Sequence, residues 1–153
     1  MARFGYSIIK LDPDKTAKAS GRELDISHKH AREVCKAIKG MLLDEAKTYL
    51  EDVIAMKRSV PFRRFKKKVG HRNDLQGFAT GRYPVKAAKY ILEVLKNVEN
   101  NAEFKGLELD RCVIIHAAAY PGRKVKNIFP RAFGRSSPKV NTLTHVEIAV
   151  EEL

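Results

Sequence analysis

CVIIHAAA (112–119) and THVEIAV (144–150) flank YPGRKVKNIFPRAFGRSSPKVN (120–141), and how these three stretches fit together decides the fold. The two flanks have the apolar patterning of strands. From Arg111 to Val146 there are seven Lys or Arg residues and no Asp or Glu. The arrangement predicts two arms of one long β-hairpin, with an outer half too polar and basic to fold around a core of its own. From Ala118 to Arg131, at ~3.3 Å per residue, such a hairpin reaches roughly 45 Å. A two-stranded ribbon alone in water is marginally stable at best. This one calls for a partner that is large, ordered and negatively charged, and nucleic acid fits that description best.

The remaining charge is segregated in the same way. The chain has 153 residues, with 30 Lys+Arg against 18 Asp+Glu, for a net charge of +12. Lys57–Arg82 holds nine basic residues and one acid, Asp74, a net of +8. Residues 111–146 contribute +7, which leaves the rest of the chain at −3. A mildly acidic body with two strongly basic extensions is the electrostatic pattern of a phosphate-binding protein. A protein that merely happened to be basic would spread its excess evenly.

At this length a single domain, 1–153, is expected, with 44% apolar residues to build its core. No apolar run approaches the roughly 18 residues that span a bilayer, so no membrane partner is expected. The beginning, MARFGYSIIKLDPDK, lacks the layout of a secretion signal. Cys35 and Cys112 sit in apolar-patterned contexts and are expected as buried, reduced thiols.

Along the chain, 4–10 reads as a short extended segment, 11–21 as a turn region, and RELDI (22–26) as a half-buried strand. Ser27 is placed to cap a helix over about His28–Lys39, with Ala31, Val34, Cys35 and Ile38 inward and Gly40 ending it. A second helix, about Asp44–Met56, turns Ala46, Tyr49, Leu50, Val53 and Met56 to one side, with acids early in it. A third opens with Pro84 and runs to about Asn97, on a stripe of Val85, Ala88, Ile91, Leu92 and Leu95. It continues raggedly to a stop at Gly106. At the hairpin base, Val113, Ile115, Val146 and Ile148 are expected to hold the body together. The predicted fold class is α+β: three main helices packed on a small antiparallel sheet, a long protruding β-hairpin (112–150) and a basic insertion loop (57–83).

Residues 57–83 have no periodicity, and patternless stretches of this length are usually functional or disordered. Mobility in the free protein is expected for much of this loop and for 120–141. In the insertion Arg58, Arg63, Arg64, Lys66, Lys67, Lys68, His71, Arg72 and Arg82 interleave with Pro61, Phe62, Phe65, Gly70, Gly77, Phe78, Gly81 and Tyr83. Arginine grips phosphate bidentately and stacks on bases, and aromatics offer π-faces to unpaired bases. Each Phe is equally readable as a staple to the core. In the hairpin Arg123, Lys124, Lys126, Arg131, Arg135 and Lys139 stud both arms, and Pro130, Gly134, Ser136, Ser137 and Pro138 punctuate the turn.

Enzyme signatures are missing. His28 and His30 are two apart and cannot form an i,i+4 metal pair, so they read as solvated residues of a first helical turn. His116 shares a strand face with Cys112 and Ile114 but has no neighbouring acid, which favours a satisfied core histidine. There is no phosphate-binding glycine motif. No catalytic residue, metal site or cofactor is expected. The open alternatives are a stand-alone RNA-binding regulator or chaperone, and an RNA-processing enzyme, for which Asp74 alone supplies no acid pair.

Three stretches carry a family resemblance: SVPFRRF (59–65), GRYPVKAAKYILEVLKNVENNAEFKGL (81–107), and the tip and return FPRAFGRSSPK (129–139) with THVEIAV (144–150). On these the chain resembles, over essentially its whole length, the universal large-subunit ribosomal protein numbered twenty-two in bacterial nomenclature, in its archaeal and eukaryotic form. The 57–83 segment looks like the insertion that sets those members apart from bacterial ones. Phe133 is bulkier than the Met or His of the family pattern. The resemblance implies a non-enzymatic constituent of the cytoplasmic large ribosomal subunit. It also implies a single copy bound to large-subunit rRNA through the basic residues named above and to neighbouring ribosomal proteins. The hairpin would then run along the nascent-peptide exit tunnel, with Pro130, Arg131, Ala132, Phe133, Gly134 and Arg135 facing the nascent polypeptide.

Overall fold

The computed structural model describes residues 5–153. Strand β1 (Thr16–Leu24) leads into helices α1 (His28–Ile38) and α2 (Leu43–Ile54). Two short strands, β2 (Val60–Pro61) and β3 (Gly81–Arg82), bracket the insertion. Helix α3 (Val85–Phe104) and a 3-10 turn then precede the long strands β4 (Cys112–Pro130) and β5 (Ser136–Glu152). The main sheet has the order β1-β5-β4 and is antiparallel throughout, while β2 and β3 pair separately. The fold is α+β, as the patterning predicts. None of the described helices is long and apolar enough to cross a membrane.

Strand β5 is central because the THVEIAV stretch is buried on both faces. Thr144, Val146, Ile148 and Val150 meet the helical core, and Glu147 and Ala149 lie beneath the outer face. That outer face is crossed near Ser7, whose N–H and hydroxyl donate to Glu147 Oε2 at 2.9 and 2.8 Å. Arg22 Nη2 lies 3.1 Å from Glu147 Oε1. Burial pushes the Glu147 carboxyl up, but the Ser7 and Arg22 contacts outweigh it and hold it below the usual range. A buried acid with these partners is satisfied.

Several sequence expectations are corrected. The first strand covers 16–24, not 22–26, so much of the expected turn region is ladder. Its inward residues are small (Ala17, Ala19, Gly21), and a side chain at Gly21 would meet Val94 Cγ2 at 2.8 Å. Small residues let α3 lie close on the sheet, and they also hide the strand from a hydrophobicity pattern. Segment 5–10 belongs to no strand, and Phe4 lies outside the described residues. Ser27 occupies the N-cap position of α1 without a side-chain cap bond. Helix α2 ends at Ile54, leaving Met56 at φ 57° and exposed. Helix α3 starts after Pro84 and continues to Phe104. Its buried stripe includes Ala87, Val94, Val98 and Ala102 instead of Val85 and Leu92, and Gly106 at φ 74° ends the turn.

The β4 alternation is also interrupted. A bulge between Ile114 and His116 re-aims the strand, so Cys112 and Ile114 face the core but His116 and Ala118 share the outer face with Glu147 and Ala149. Val113 and Ile115 are therefore only half-buried, and His116 Nε2 sits 3.2 Å from Ser7 Oγ instead of in the core. Both cysteines are buried and free, and burial pushes the Cys35 thiol up to about 12, which makes it unreactive.

Candidate nucleic-acid interface

The insertion leaves α2 at Ile54 and returns at Pro84. It contains little regular structure, yet two anchors fix it to the body and a third ties it to itself. Phe62 is 1% exposed, meets His30 edge-on at 5.3 Å between ring centroids, and donates its N–H to Thr80 O at 3.0 Å. The buried Glu33 carboxylate of α1 accepts the backbone N–H groups of Arg63, Arg64 and Phe65 at 3.1, 2.9 and 3.1 Å. Asp74 closes the far end by accepting the Ser59 N–H at 2.7 Å and hydroxyl at 2.9 Å. That backbone bond, ahead of the opposing desolvation, holds the Asp74 carboxyl below its usual 3.8. Tyr49 lies under Ser59, donating to its carbonyl oxygen at 3.3 Å, and burial pushes its phenol up to about 12.

With the backbone anchored, the basic side chains are left outside. Arg58, Arg63, Arg64, Lys66, Lys67, Lys68, His71, Arg72 and Arg82 are all exposed, and none forms a salt bridge among the described residues. The aromatic residues carry the guanidinium groups. Arg58 lies over Tyr49 at 4.8 Å, Arg63 over Phe78 at 5.1 Å, Arg64 over Phe65 at 5.7 Å and Arg72 over Tyr83 at 4.9 Å. Phe62 is therefore a core staple, Phe65 packs against the core and also supports Arg64, and Phe78 supports Arg63. A planar guanidinium braced in this way presents its donors with less freedom to lose on binding phosphate.

The second surface is the β4–β5 ribbon. The ladder continues to the Pro130–Ser136 pair, while β1 stops pairing at Thr144. Beyond that point two strands stand without a third. Ser136, Ser137 and Pro138 are strand residues, not turn residues, and the turn itself is 131–135. It is closed by Arg131 N–H to Arg135 O at 2.9 Å, with Phe133 at φ 56° and Gly134 at φ 68°. Lys124 and Lys126 share one face, and Lys139, paired with Asn127, lies on the other. Arg123 sits in the irregular stretch between Pro121 and Lys124. Arg123, Lys124, Lys126, Arg131, Arg135 and Lys139 are all exposed and outside any salt bridge among the described residues. Pro130–Arg135 are exposed throughout, and Phe133 is 96% so.

Sequence reading missed the ground between these two surfaces. A cleft of about 670 Å³ runs where the starts of α1 and α3 meet the ribbon, lined by His28, Lys29, His30, Tyr83, Lys86 and Asn141 among others. Lys29 and His30 also line a smaller cleft with Lys67 and Arg82. Burial first, and then Arg82, lowers the His30 pKa. These residues read as a solvated helix start because their neighbours come from distant parts of the chain.

Fold and charge together define a class: a small basic protein whose uncompensated cations stand on two extensions of an α+β body. Residues 19–151 match the family described as Ribosomal protein L22p/L17e. The chain is 52% identical over 151 residues to the large ribosomal subunit protein uL22 of Archaeoglobus fulgidus, covering 99% of this chain and 97% of that one. It is 51% identical over 152 residues to the protein of the same name from Methanocaldococcus jannaschii, covering 99% and 97%. The match to that of Thermofilum pendens is 50% over 153 residues, covering 100% and 99%. The chain belongs to this ribosomal protein family.

Proposed function

We propose that the chain is a structural, non-catalytic constituent of the large ribosomal subunit, one copy acting as a single unit over 1–153. It binds large-subunit rRNA through the insertion and the outer ribbon. The tip, Pro130–Arg135, lines the nascent-peptide exit tunnel in the cytoplasmic ribosome, with neighbouring ribosomal proteins around the body. The observation that carries this reading is the run from Arg111 to Val146. It is acid-free, its outer part lies on two strands without a third, and its cations point from both faces. A one-sided patch would suit a surface contact; a rod charged on both faces suits being embedded in folded RNA. Family membership selects the ribosome over a free-standing regulator.

The test has two parts. In a lysate sedimented at high salt, the protein is expected to travel with large subunits; release as a free monomer would favour the regulator. With ~8–12 phosphate contacts, the slope of log affinity against log salt for an rRNA transcript is of order −6 to −8, at ~0.7 per contact. Neutralising Arg63, Arg64, Lys66, Lys67 and Lys68 together is expected to flatten it by about 3. An unchanged slope would remove the insertion from the binding surface.

A further inference from the structure

Glu33 is an acid placed beneath a cationic surface. It lies on α1 beside the core residues Ala31, Val34 and Cys35, and it is 1% exposed. A carboxylate has about four acceptor positions, and four donors meet this one. Three are consecutive insertion N–H groups, Arg63 on Oε2 and Arg64 and Phe65 on Oε1. The fourth is Arg32 Nη1, 3.2 Å from Oε1. Its contact with the insertion is thus to the backbone, and the Arg63 and Arg64 side chains remain exposed, braced on Phe78 and Phe65. Asp74 does the equivalent at the other end, holding the backbone and hydroxyl of Ser59.

We propose that Glu33 is a positioning residue for RNA binding, which fixes the backbone of 63–65 so that Arg63 and Arg64 meet phosphate in a shape already set, with Asp74 as its counterpart. This rests on the reading of the insertion as an RNA surface. Two effects compete, and they differ in sign. By charge alone, each of these acids repels phosphate, and removing it tightens binding. By preorganisation, removing it frees several backbone residues that RNA must then order, and binding weakens. The Asp74 charge is exposed and is screened within about 10 Å at ordinary salt. The buried Glu33 charge is already met by Arg32 and three N–H donors. An ordering cost, by contrast, persists at any salt. Preorganisation therefore dominates.

The experiment measures affinity for a large-subunit rRNA transcript at fixed salt for the full chain and for Glu33→Ala, Asp74→Ala and the Arg63→Gln/Arg64→Gln pair, with circular dichroism reporting whether the body is folded. Glu33→Ala is expected to bind about tenfold more weakly, and Asp74→Ala several-fold more weakly, although both make the chain more positive. If Glu33→Ala fails to fold, Asp74→Ala decides, since its side chain is outside the core. If the arginine pair weakens binding but the acid variants bind as well as or better than the wild type, the positioning role is overturned and the RNA surface stands. If the arginine pair binds like the wild type, the RNA surface falls, and the inference with it.

Discussion

The insertion and the outer ribbon carry nearly the same charge density but are held in opposite ways. In the insertion, Phe62 enters the core, Glu33 of α1 binds the backbone and Asp74 ties the segment to itself, so an irregular segment gains a fixed shape. The ribbon has long strands and a ladder that reaches Pro130 with an irregularity between Pro121 and Lys124. Beyond Thr144, however, it has no third strand, no acid of its own and no residue in the core. Regular secondary structure is therefore a poor guide to which region is stable in the free chain. What matters is contact with the core, because local opening follows buried apolar contacts and not ladder length.

The largest effect that can break this contrast comes from a charge at the ribbon base. Ile148→Asp buries an unpaired carboxylate in the central strand and is expected to cost about 4 kcal/mol of stability, read by urea unfolding. Deleting 129–137 from the same ribbon is expected to cost less than about 0.5 kcal/mol. A large loss on deletion would mean that the tip supports the body.

Phe62→Ala is next, at about 3 kcal/mol, since a fully buried ring is removed from between the insertion and α1. Limited proteolysis is expected to cut first within 57–83 in this variant. Cleavage elsewhere, with the insertion intact, would show that Phe62 is not its main anchor.

The smallest effect is a pH response present in one region and absent from the other. The Asp74 carboxyl is held below 3.8, so its link to Ser59 is fully formed above that pH and is lost as pH falls through the folded value. The Ser59 amide resonance is expected to titrate with a midpoint below 3.8, while amides of 123–138, which contain no carboxylate, stay still. A Ser59 midpoint at or above 3.8 would show that the bond does not favour the ionised form.

Much of this was legible in the sequence because charge and apolar spacing are local signals. The two basic regions, the three helices and the central THVEIAV strand follow from them. The first six residues of strand β1, 16–21, were missed because Ala17, Ala19 and Gly21 suit α3's close approach and not a hydrophobicity pattern. The bulge at Ile115 reverses which face His116 occupies, and a strict period of two does not foresee it. Glu33 was invisible for a deeper reason. Its partners are backbone N–H groups thirty residues away, and any side chains there would serve equally. Whether Phe62, Phe65 and Phe78 stack on bases or staple the loop was undecidable from composition and needed the packing.

The most direct test of the contrast is hydrogen exchange on the chain alone and again bound to a large-subunit rRNA transcript. In the free chain, the amides of Phe62, Arg63, Arg64, Phe65 and Gly81 are expected to exchange nearly as slowly as the core of β5, and those of 123–140 to exchange fast. On binding, the ribbon amides are expected to slow sharply and the insertion amides to change little. An insertion that exchanges freely until RNA arrives, or a ribbon already protected without it, would contradict the account.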